Sequence, residues 1–201
     1  MLPDRARALI DFWFGPPGDP EREQFRQIWF RSTAEHDETL RRLFLGDYEN
    51  AAAGRLGAWE AAADSALALL LLLDQIPRNI FRDTPGAYVT DAAARAVADR
   101  AIARDFDTAV PPAWRMFCYM PLHHSEDLAD QRRAEALTAP LRLDRDPERG
   151  SHRRYGMSYP DVIARFGRFP HRNRILGRPS TPEEVAFLAA NEQRRRAAGE
   201  R

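Results

Sequence analysis

The chain contains no lysine, since all 30 of its basic residues are arginine. Schiff-base catalysis, covalent attachment of pyridoxal phosphate and the P-loop each require a lysine amine, so the sequence argues against these chemistries. Arginine stays protonated and offers a planar fork of donors that fits carboxylates and phosphates. Codon bias accounts for the missing lysine without selection for function. We nevertheless expect any polar site to use arginine as a clamp and not as a base.

Cysteine and long apolar runs are also scarce. Cys118 is the only cysteine and lies in an aromatic run, so it is expected to be a buried hydrophobe in a reducing, cytoplasmic location. Charged residues interrupt the segment Met1 to Phe14, which is therefore not expected to be a signal peptide. The most apolar stretch, Ala66 to Leu73, is far shorter than the roughly 20 residues that cross a bilayer. It predicts a central buried helix.

Net charge is absent as well, because 30 acidic residues balance the 30 arginines and the pI is near 7.0. Attraction of the whole protein to nucleic acid or to a membrane is therefore not expected. Apolar residues at 44% and charged residues at 30% are typical of a globular protein. We predict a single domain over residues 1–201.

Alternating β-branched residues are missing, and the dominant apolar period is helical. The spacing of Phe25, Ile28 and Trp29 gives one apolar stripe, as does that of Leu40, Leu43 and Phe44. The chain is predicted to be all-α, with about eight to ten helices and no sheet. The charged segment 142–150 is predicted to be a mobile surface loop, and residues 194–201 a frayed tail.

The first polar motif, Leu71 to Asn79, follows the apolar stretch. We expect the apolar helix to close here, which places Asp74 in its last turn. An aspartate there opposes the helix dipole, so a cation is expected nearby. Arg78, four residues later, is the local candidate.

The second polar motif runs from Pro121 to Asp127. Ser125 is predicted to cap a following helix, with Glu126 and Asp127 at its positive end. Asp127 and Gln131 would then share one face of that helix. His124 would precede the helix and be free to point into a cleft.

The third polar motif, Arg165 to Asn173, interleaves arginines with phenylalanines around Gly167 and Pro170. It predicts an irregular turn rich in planar donors. After it, Thr181 and Glu184 have the spacing of a capping box, with Pro182 at the first helical position.

The three polar motifs resemble those of a known protein family, and so do two further segments, Asp11 to Gly15 and Leu176 to Arg178. The resemblance extends from about Leu9 to Leu188. There the chain resembles the bacterial domain of unknown function family 924. The resemblance implies an all-α, tetratricopeptide-like superhelix, with no established activity or cofactor. A helical bundle is the alternative arrangement that we predict for the same helices.

Two positions depart from the family pattern. Tyr159 stands where the family usually has a histidine, and His123 where it usually has a methionine. A mechanism that needs the upstream histidine would have to use His152 here.

Three functions, beside a purely structural salt-bridge network, are compatible with the polar motifs. One is a site for a small anionic or polar ligand clamped by arginines. Another is a hydrolase with His124 or His171 as general base, oriented by Glu126 or Asp127. A third is a helical adaptor that binds a peptide in its groove. The residues assigned to the site are Asp74, Arg78, Asn79, His124, Glu126, Asp127, Gln131, Arg165, Arg168, His171, Arg172 and Asn173.

No cofactor and no metal are predicted. Histidine and glutamate side chains are suitable metal ligands, but no Glu-x-x-His or His-Glu-x-x-His spacing occurs in the chain. Both a structural salt-bridge network and a functional site would require side chains from different motifs to meet. We therefore predict that six of the residues lie in one neighbourhood: Asp74, Arg78, His124, Glu126, Arg168 and His171.

Overall fold

A computed structural model describes residues 2–29, 32–141 and 157–197 of the chain. Over these ranges the regular structure is helical and contains no strand, so the predicted all-α fold is confirmed. The α-helices are α1 (Asp4–Phe14), α2 (Ala34–Ala52), α3 (Ala63–Leu70), α4 (Ile76–Ile80), α5 (Asp91–Ile102), α6 (Pro112–His123), α7 (Leu128–Thr138), α8 (Tyr159–Phe166) and α9 (Pro182–Ala197).

The chain divides into two compact units, Met1–His124 and Ser125–Arg201. A single domain over residues 1–201 therefore stays a prediction. The predicted loop 142–150 and His152 lie outside the described residues. The predicted tail begins at residue 194, but α9 continues to Ala197, and residues 198–201 lie outside the described part.

The first unit is built around α3, whose residues from Ser65 to Leu70 are all buried. Helix α1 packs against α3, α2 packs against α4, and α5 packs against both α3 and α6. Aromatic rings from distant segments complete this core: Phe14 stacks on Trp114 with ring centroids 4.3 Å apart, and the edge of Trp29 meets Phe117. The buried position predicted for Cys118 is confirmed.

The apolar helix does not end at Asp74, contrary to the prediction. Residues Leu71–Gln75 form one π-helical turn that leads directly into α4. Pro77 has no N–H for the carbonyl of Leu73, four residues earlier in the chain. The buried hydroxyl of Thr90 donates to that carbonyl instead, at 2.6 Å. A side chain from another segment therefore binds this carbonyl close to the proline that interrupts the backbone hydrogen bonds.

The second unit contains α7, α8 and α9 around the buried side chains of Val162, Ile163, Phe169 and Phe187. The predicted capping box at the start of α9 is confirmed. The Glu184 N–H donates to the Thr181 hydroxyl at 3.2 Å, and the Thr181 N–H donates to the Glu184 carboxylate at 2.7 Å. Gly167 ends α8 in the left-handed conformation, at a φ of 67° that favours glycine.

None of the helices described is both long enough and apolar enough to cross a membrane.

Candidate functional site

The chemistry of the first unit centres on Asp74, which the π-helical turn places in the interior with only 1% of its side chain exposed. Its two oxygens lie 2.8 and 3.0 Å from Nδ1 of His124, the residue that follows α6. The Gln75 amide donates to Oδ2 at 2.6 Å, and Nη1 of Arg78 lies 3.2 Å from Oδ1. The predicted partnership of Asp74 with Arg78 is confirmed. We call Asp74, Gln75, Arg78, Asp91 and His124 the histidine cluster.

Asp74 is ionised in this setting. Burial by itself raises the pKa of a carboxyl group. The charge of Arg78, that of the His124 ring once acid protonates it, and the hydrogen bonds from His124 and Gln75 outweigh burial and hold the pKa of Asp74 well below its usual range. An ionised carboxylate can only accept hydrogen bonds, so Nδ1 of His124 carries the proton that joins the two side chains.

His124 is a neutral imidazole near pH 7. Burial and the charge of Arg78 lower the pKa of His124, and the attraction of Asp74 opposes them only in part. Because the single proton of a neutral ring is on Nδ1, Nε2 has a free lone pair. No described residue forms a hydrogen bond with Nε2, and 15% of the side chain is exposed. The ring is therefore held at one nitrogen and open at the other.

Arg78 bridges two carboxylates within the histidine cluster. Nη1 also donates to the backbone carbonyl of Asp74 at 2.7 Å, and Nη2 lies 2.9 Å from Asp91 at the start of α5. Charge attraction joins Arg78 and Asp91 at this distance. Burial lowers the pKa of Arg78, but the negative charges of Asp74 and Asp91 raise it by a larger amount. The guanidinium therefore remains charged.

Asn79 supports the backbone of the π-helical turn and does not contact the imidazole. Its amide donates to the carbonyl of Gln75 at 2.9 Å, and its oxygen accepts from Arg82 at 3.2 Å. Sequence reasoning left Gln75, Thr90 and Asp91 out of the site. Gln75 belongs to the first motif, whereas Thr90 and Asp91 have no sequence signal beyond an ordinary helix start.

A second polar cluster lies in the second unit. The Glu126 carboxylate accepts from Arg178 at 2.7 and 3.0 Å and from the Phe169 N–H at 2.8 Å. Burial raises the pKa of Glu126, but these donors outweigh it and the pKa is lowered. Glu126 is therefore paired with Arg178. Arg178 belongs to one of the segments that resemble the family, but it is not among the predicted site residues.

Arg168 contacts the capping box of α9. Its guanidinium donates to both oxygens of Glu184, at 2.7 and 2.9 Å, and to the Pro179 carbonyl at 2.9 Å. Asn173 is buried and donates to Glu184 at 3.2 Å. The hydrogen bonds from Arg168, Thr181 and Asn173 lower the pKa of Glu184 to about 2, against the opposing effect of burial. We call Glu126, Arg168, Asn173, Arg178 and Glu184 the arginine cluster.

Three other predicted residues of the second unit, Arg165, His171 and Arg172, contact partners other than Glu184. Arg165 pairs with Glu183 at 2.8 Å on the surface. His171 and Arg172 both lie against the ring of Phe169, the imidazole at 5.5 Å and the guanidinium at 4.5 Å. Tyr159, which replaces the usual family histidine, meets the same ring edge-on at 5.4 Å.

Helix α7 starts later than predicted, which corrects the role of Ser125. Asp127 is the N-cap and accepts from the Ala129 N–H at 2.7 Å. Ser125 instead accepts from the Asp127 N–H and donates to Asp130. Gln131 is buried on α7 and donates to the Ser125 carbonyl at 2.6 Å.

The carboxylate that orients His124 also differs from the prediction, which named Glu126 or Asp127. Asp74 performs this role, because it is the carboxylate that meets Nδ1 when α6 packs beside the π-helical turn. The six residues predicted to share one neighbourhood fall into two units. Asp74, Arg78 and His124 meet in the first, and Glu126, Arg168 and His171 belong to the second. Among the residues described, no three histidine, cysteine, aspartate or glutamate side chains form a group that could hold a metal ion.

The chain is thus an all-α protein with a buried aspartate and histidine pair in its first unit. It belongs to the family described as bacterial protein of unknown function (DUF924), whose model matches residues 9–192. It is similar to the solved structure of ATU0120 from Agrobacterium tumefaciens, a protein of unknown function. The two sequences are 41% identical, the match covers 91% of this chain and 96% of that chain, and the TM-score is 0.78. No curated protein matches the chain.

Proposed function

We propose that the protein is a hydrolase in which His124 acts as the general base. The observation that carries the proposal is the orientation of one imidazole: Nδ1 is bound to a buried, ionised Asp74, while Nε2 has no partner among the described residues. In a hydrolase with this arrangement, Nε2 accepts a proton from water as the oxygen attacks a carbonyl or phosphoryl group. The same proton then passes to the leaving group.

Asp74 supports this chemistry in two ways. Its hydrogen bond to Nδ1 fixes the tautomer that leaves Nε2 as an acceptor, and its negative charge stabilises the imidazolium formed when Nε2 takes the proton. Arg78 limits the second effect, because its positive charge lowers the pKa of His124. The base is therefore neutral, and ready to accept a proton, at physiological pH.

The backbone at Asp74 is a second argument for a functional role. π-Helical turns inside α-helices are rare, and many of them occur at functional sites. Here the π-helical turn contains Asp74 and Gln75, two members of the histidine cluster.

An anionic ligand clamped by arginine has less support. Three of the arginines proposed as clamps already contact a carboxylate of their own unit: Arg78 with Asp74 and Asp91, Arg165 with Glu183, and Arg168 with Glu184. A ligand anion would have to displace these partners. The contacts favour a structural role for the arginine cluster.

The test is a set of hydrolase assays with p-nitrophenyl phosphate, bis-p-nitrophenyl phosphate, p-nitrophenyl acetate and a peptide p-nitroanilide. We expect the wild-type protein to hydrolyse at least one of these substrate classes. His124→Gln should reduce kcat by about 10²- to 10⁴-fold, the usual contribution of a general base, because the glutamine amide cannot accept a proton at neutral pH.

His36 provides a matched control in the same unit. It lies against Phe12, with ring centroids 5.4 Å apart, and forms no hydrogen bond with a carboxylate in the part of the chain that is described. His36→Gln should therefore retain the wild-type rate. Wild-type inactivity on all four substrates, or equal rates for wild type and His124→Gln, would overturn the proposal.

A further inference from the structure

We infer that Thr90 and Asp91, at the start of α5, are positioning residues that hold Asp74 against His124 through the π-helical turn and Arg78. The inference rests on the proposed role of His124 as a base. It assigns a role to two residues that form no hydrogen bond with the imidazole.

Thr90 acts on the backbone that carries Asp74. The Leu73 carbonyl precedes Asp74 directly, and Pro77, four residues later, has no N–H that could donate to it. The Thr90 hydroxyl donates to it at 2.6 Å, and the Thr90 residue is 4% exposed, so water is not an easy substitute. Without this hydroxyl, the peptide group before Asp74 would lose its fixed orientation.

Asp91 acts on Arg78, the cation that contacts Asp74. It holds Nη2 of Arg78 at 2.9 Å while Nη1 binds the Asp74 carbonyl and lies 3.2 Å from its carboxylate. A guanidinium is planar and rigid, so fixing one nitrogen fixes the direction of the other. Asp91 thereby keeps Arg78 directed at both the backbone and the side chain of Asp74.

Thr90 and Asp91 are consecutive, so the start of one helix holds both the carbonyl before Asp74 and the cation beside it. Three other carbonyls of the π-helical turn have donors within the same segment: Ile76 donates to Leu71, Arg78 to Asp74 and Asn79 to Gln75. Apart from the hydrogen bond with His124 itself, the Thr90 and Asp91 contacts described here are the ones that come from a different helix.

The test of Thr90 compares Thr90→Val with Thr90→Ser. Valine keeps the size and the β-branch but removes the hydroxyl, whereas serine keeps the hydroxyl. The readout is the ¹⁵N chemical shift of the two His124 ring nitrogens at neutral pH, which reports the tautomer and needs no substrate. We expect a single tautomer protonated on Nδ1 in the wild type and in Thr90→Ser. In Thr90→Val we expect a mixture in which at least a tenth of the molecules carry the proton on Nε2.

Thr84→Val is the matched control. The Thr84 hydroxyl also donates to a backbone carbonyl, that of Phe81 at 2.8 Å, but it lies outside the π-helical turn. This variant should retain the wild-type tautomer. If Thr90→Val retains it as well and only lowers the thermal midpoint, Thr90 is merely structural and the inference fails.

Asp91→Asn tests the second contact, and it also serves if Thr90→Val does not fold. The charged groups that act on His124 are Asp74 from the π-helical turn, Arg78 from α4 and Asp91 from α5. Loss of the Asp91 charge leaves more of the Arg78 charge uncompensated, so His124 should titrate at a pH at least 0.3 lower than in the wild type. Asp99→Asn, on an exposed position of the same helix, should leave the titration unchanged. An unshifted midpoint in Asp91→Asn would exclude this role for Asp91.

The two proposals can fail separately. Tautomer and titration changes without any hydrolase activity would support the positioning role and reject the general base. Activity in the assays with unchanged tautomer, titration and kcat in Thr90→Val and Asp91→Asn would support the base and reject the positioning role. If both proposals hold, Thr90→Val should lower kcat about tenfold to hundredfold, with KM within about twofold, since small misplacements of a catalytic group have effects of that size.

Discussion

Asp74 is a charged side chain in the interior of an apolar unit, and its stability depends on its partners. Removing one member of a buried ion pair leaves the other charge uncompensated, which costs about 3–5 kcal/mol. Asp74→Asn keeps the shape of the side chain but leaves Arg78 with Asp91 alone. We expect the free energy of unfolding to fall by about this amount at pH 7.

Urea titration followed by tryptophan fluorescence measures this change. The four tryptophans all lie in the first unit, at positions 13, 29, 59 and 114, so their emission reports the unfolding of that unit. Asp64→Asn is the control, because Asp64 is exposed in the first turn of α3 and is worth at most about 1 kcal/mol there. Equal stability of Asp74→Asn and wild type would mean that Asp74 is not ionised in the folded protein.

His124 provides a pH-dependent prediction at the same scale. Its folded pKa is lowered, mainly by burial, below the ordinary value of 6.5. The unfolded chain therefore binds a proton more readily, and stability contributed by this group is lost as the pH falls below 6.5 towards the folded pKa. We expect an NMR titration of His124 to have its midpoint below 6.5. A midpoint above 6.5 would indicate an imidazolium at neutral pH and contradict the general base.

Individual residues could be paired from the sequence only when they are close along the chain. Asp74 and Arg78 are four positions apart in one helical segment, so their contact follows from helical spacing. Asp74 and His124 are 50 positions apart, and Glu126 and Arg178 are 52 apart. Those contacts depend on how helices pack, which composition and periodicity do not specify.

The start of α9 is an element whose stability should depend on acid. The pKa of Glu184 is lowered to about 2 in the folded protein, from 4.5. A lowered carboxyl pKa contributes stability above the unfolded pKa, and that stability is lost as the pH falls from 4.5 towards 2. Glu184→Gln should therefore lower the thermal midpoint at pH 7 by about 2–4 °C for each kcal/mol lost. The difference from wild type should shrink at pH 3.

Circular dichroism at 222 nm measures this melting, and Glu183→Gln is the control. Glu183 is the neighbouring residue and pairs with Arg165 on the surface, where an ion pair contributes about 0–1 kcal/mol. A Glu184→Gln midpoint as high as that of Glu183→Gln at pH 7 would show that the capping box does not stabilise α9.

The two helix features differ in how far the sequence could predict them. The capping box is local, with donor and acceptor types three residues apart after a proline, and the pattern predicts it directly. The π-helical turn lies in a run of residues that are buried on every side, so no polar face marks the register. The long apolar run predicted a buried helix but not the change in its winding.

At the scale of the whole molecule, the absence of lysine affects the alkaline limit of stability. Arginine ion pairs persist above pH 12, so they are not lost where lysine pairs would be. Burial raises the pKa of Cys118 from 9.0 to about 12 and also raises the pKa of Tyr119. The folded protein retains these protons longer than the unfolded chain, so stability present below pH 9 is lost as the pH rises towards 12.

Cys118→Ala tests the alkaline prediction. One proton retained in the folded state alone gives a slope of about 1.4 kcal/mol per pH unit. The variant should reduce the slope of unfolding free energy against pH between 9 and 11 by up to this amount, measured by urea titration. Comparing slopes separates the titration from the packing lost with the sulfur atom. An unchanged slope would contradict a buried thiol as the source.

The division into two units was not predictable from the sequence. The boundary falls between His124 and Ser125, inside a polar motif that has neither a glycine-rich nor a proline-rich linker. Composition does change, since 16 of the 30 arginines and none of the four tryptophans follow residue 124, but no linker marks where one unit ends and the other begins. The all-α class was predictable because it depends only on local periodicity.

The π-helical turn also makes the cluster sensitive to a change of length by one residue. Such a turn holds one residue more than an α-helical turn, because its hydrogen bonds span five residues instead of four. Adding one leucine to Leu71–Leu73 would exceed the single extra residue that this turn accommodates and rotate the segments on either side by about 100° relative to each other. Then either Asp74 turns away from His124, or Leu67 and Leu70 leave the core. We expect a one-residue insertion here to abolish the single His124 tautomer, whereas Leu72→Ile, which keeps the length, should retain it.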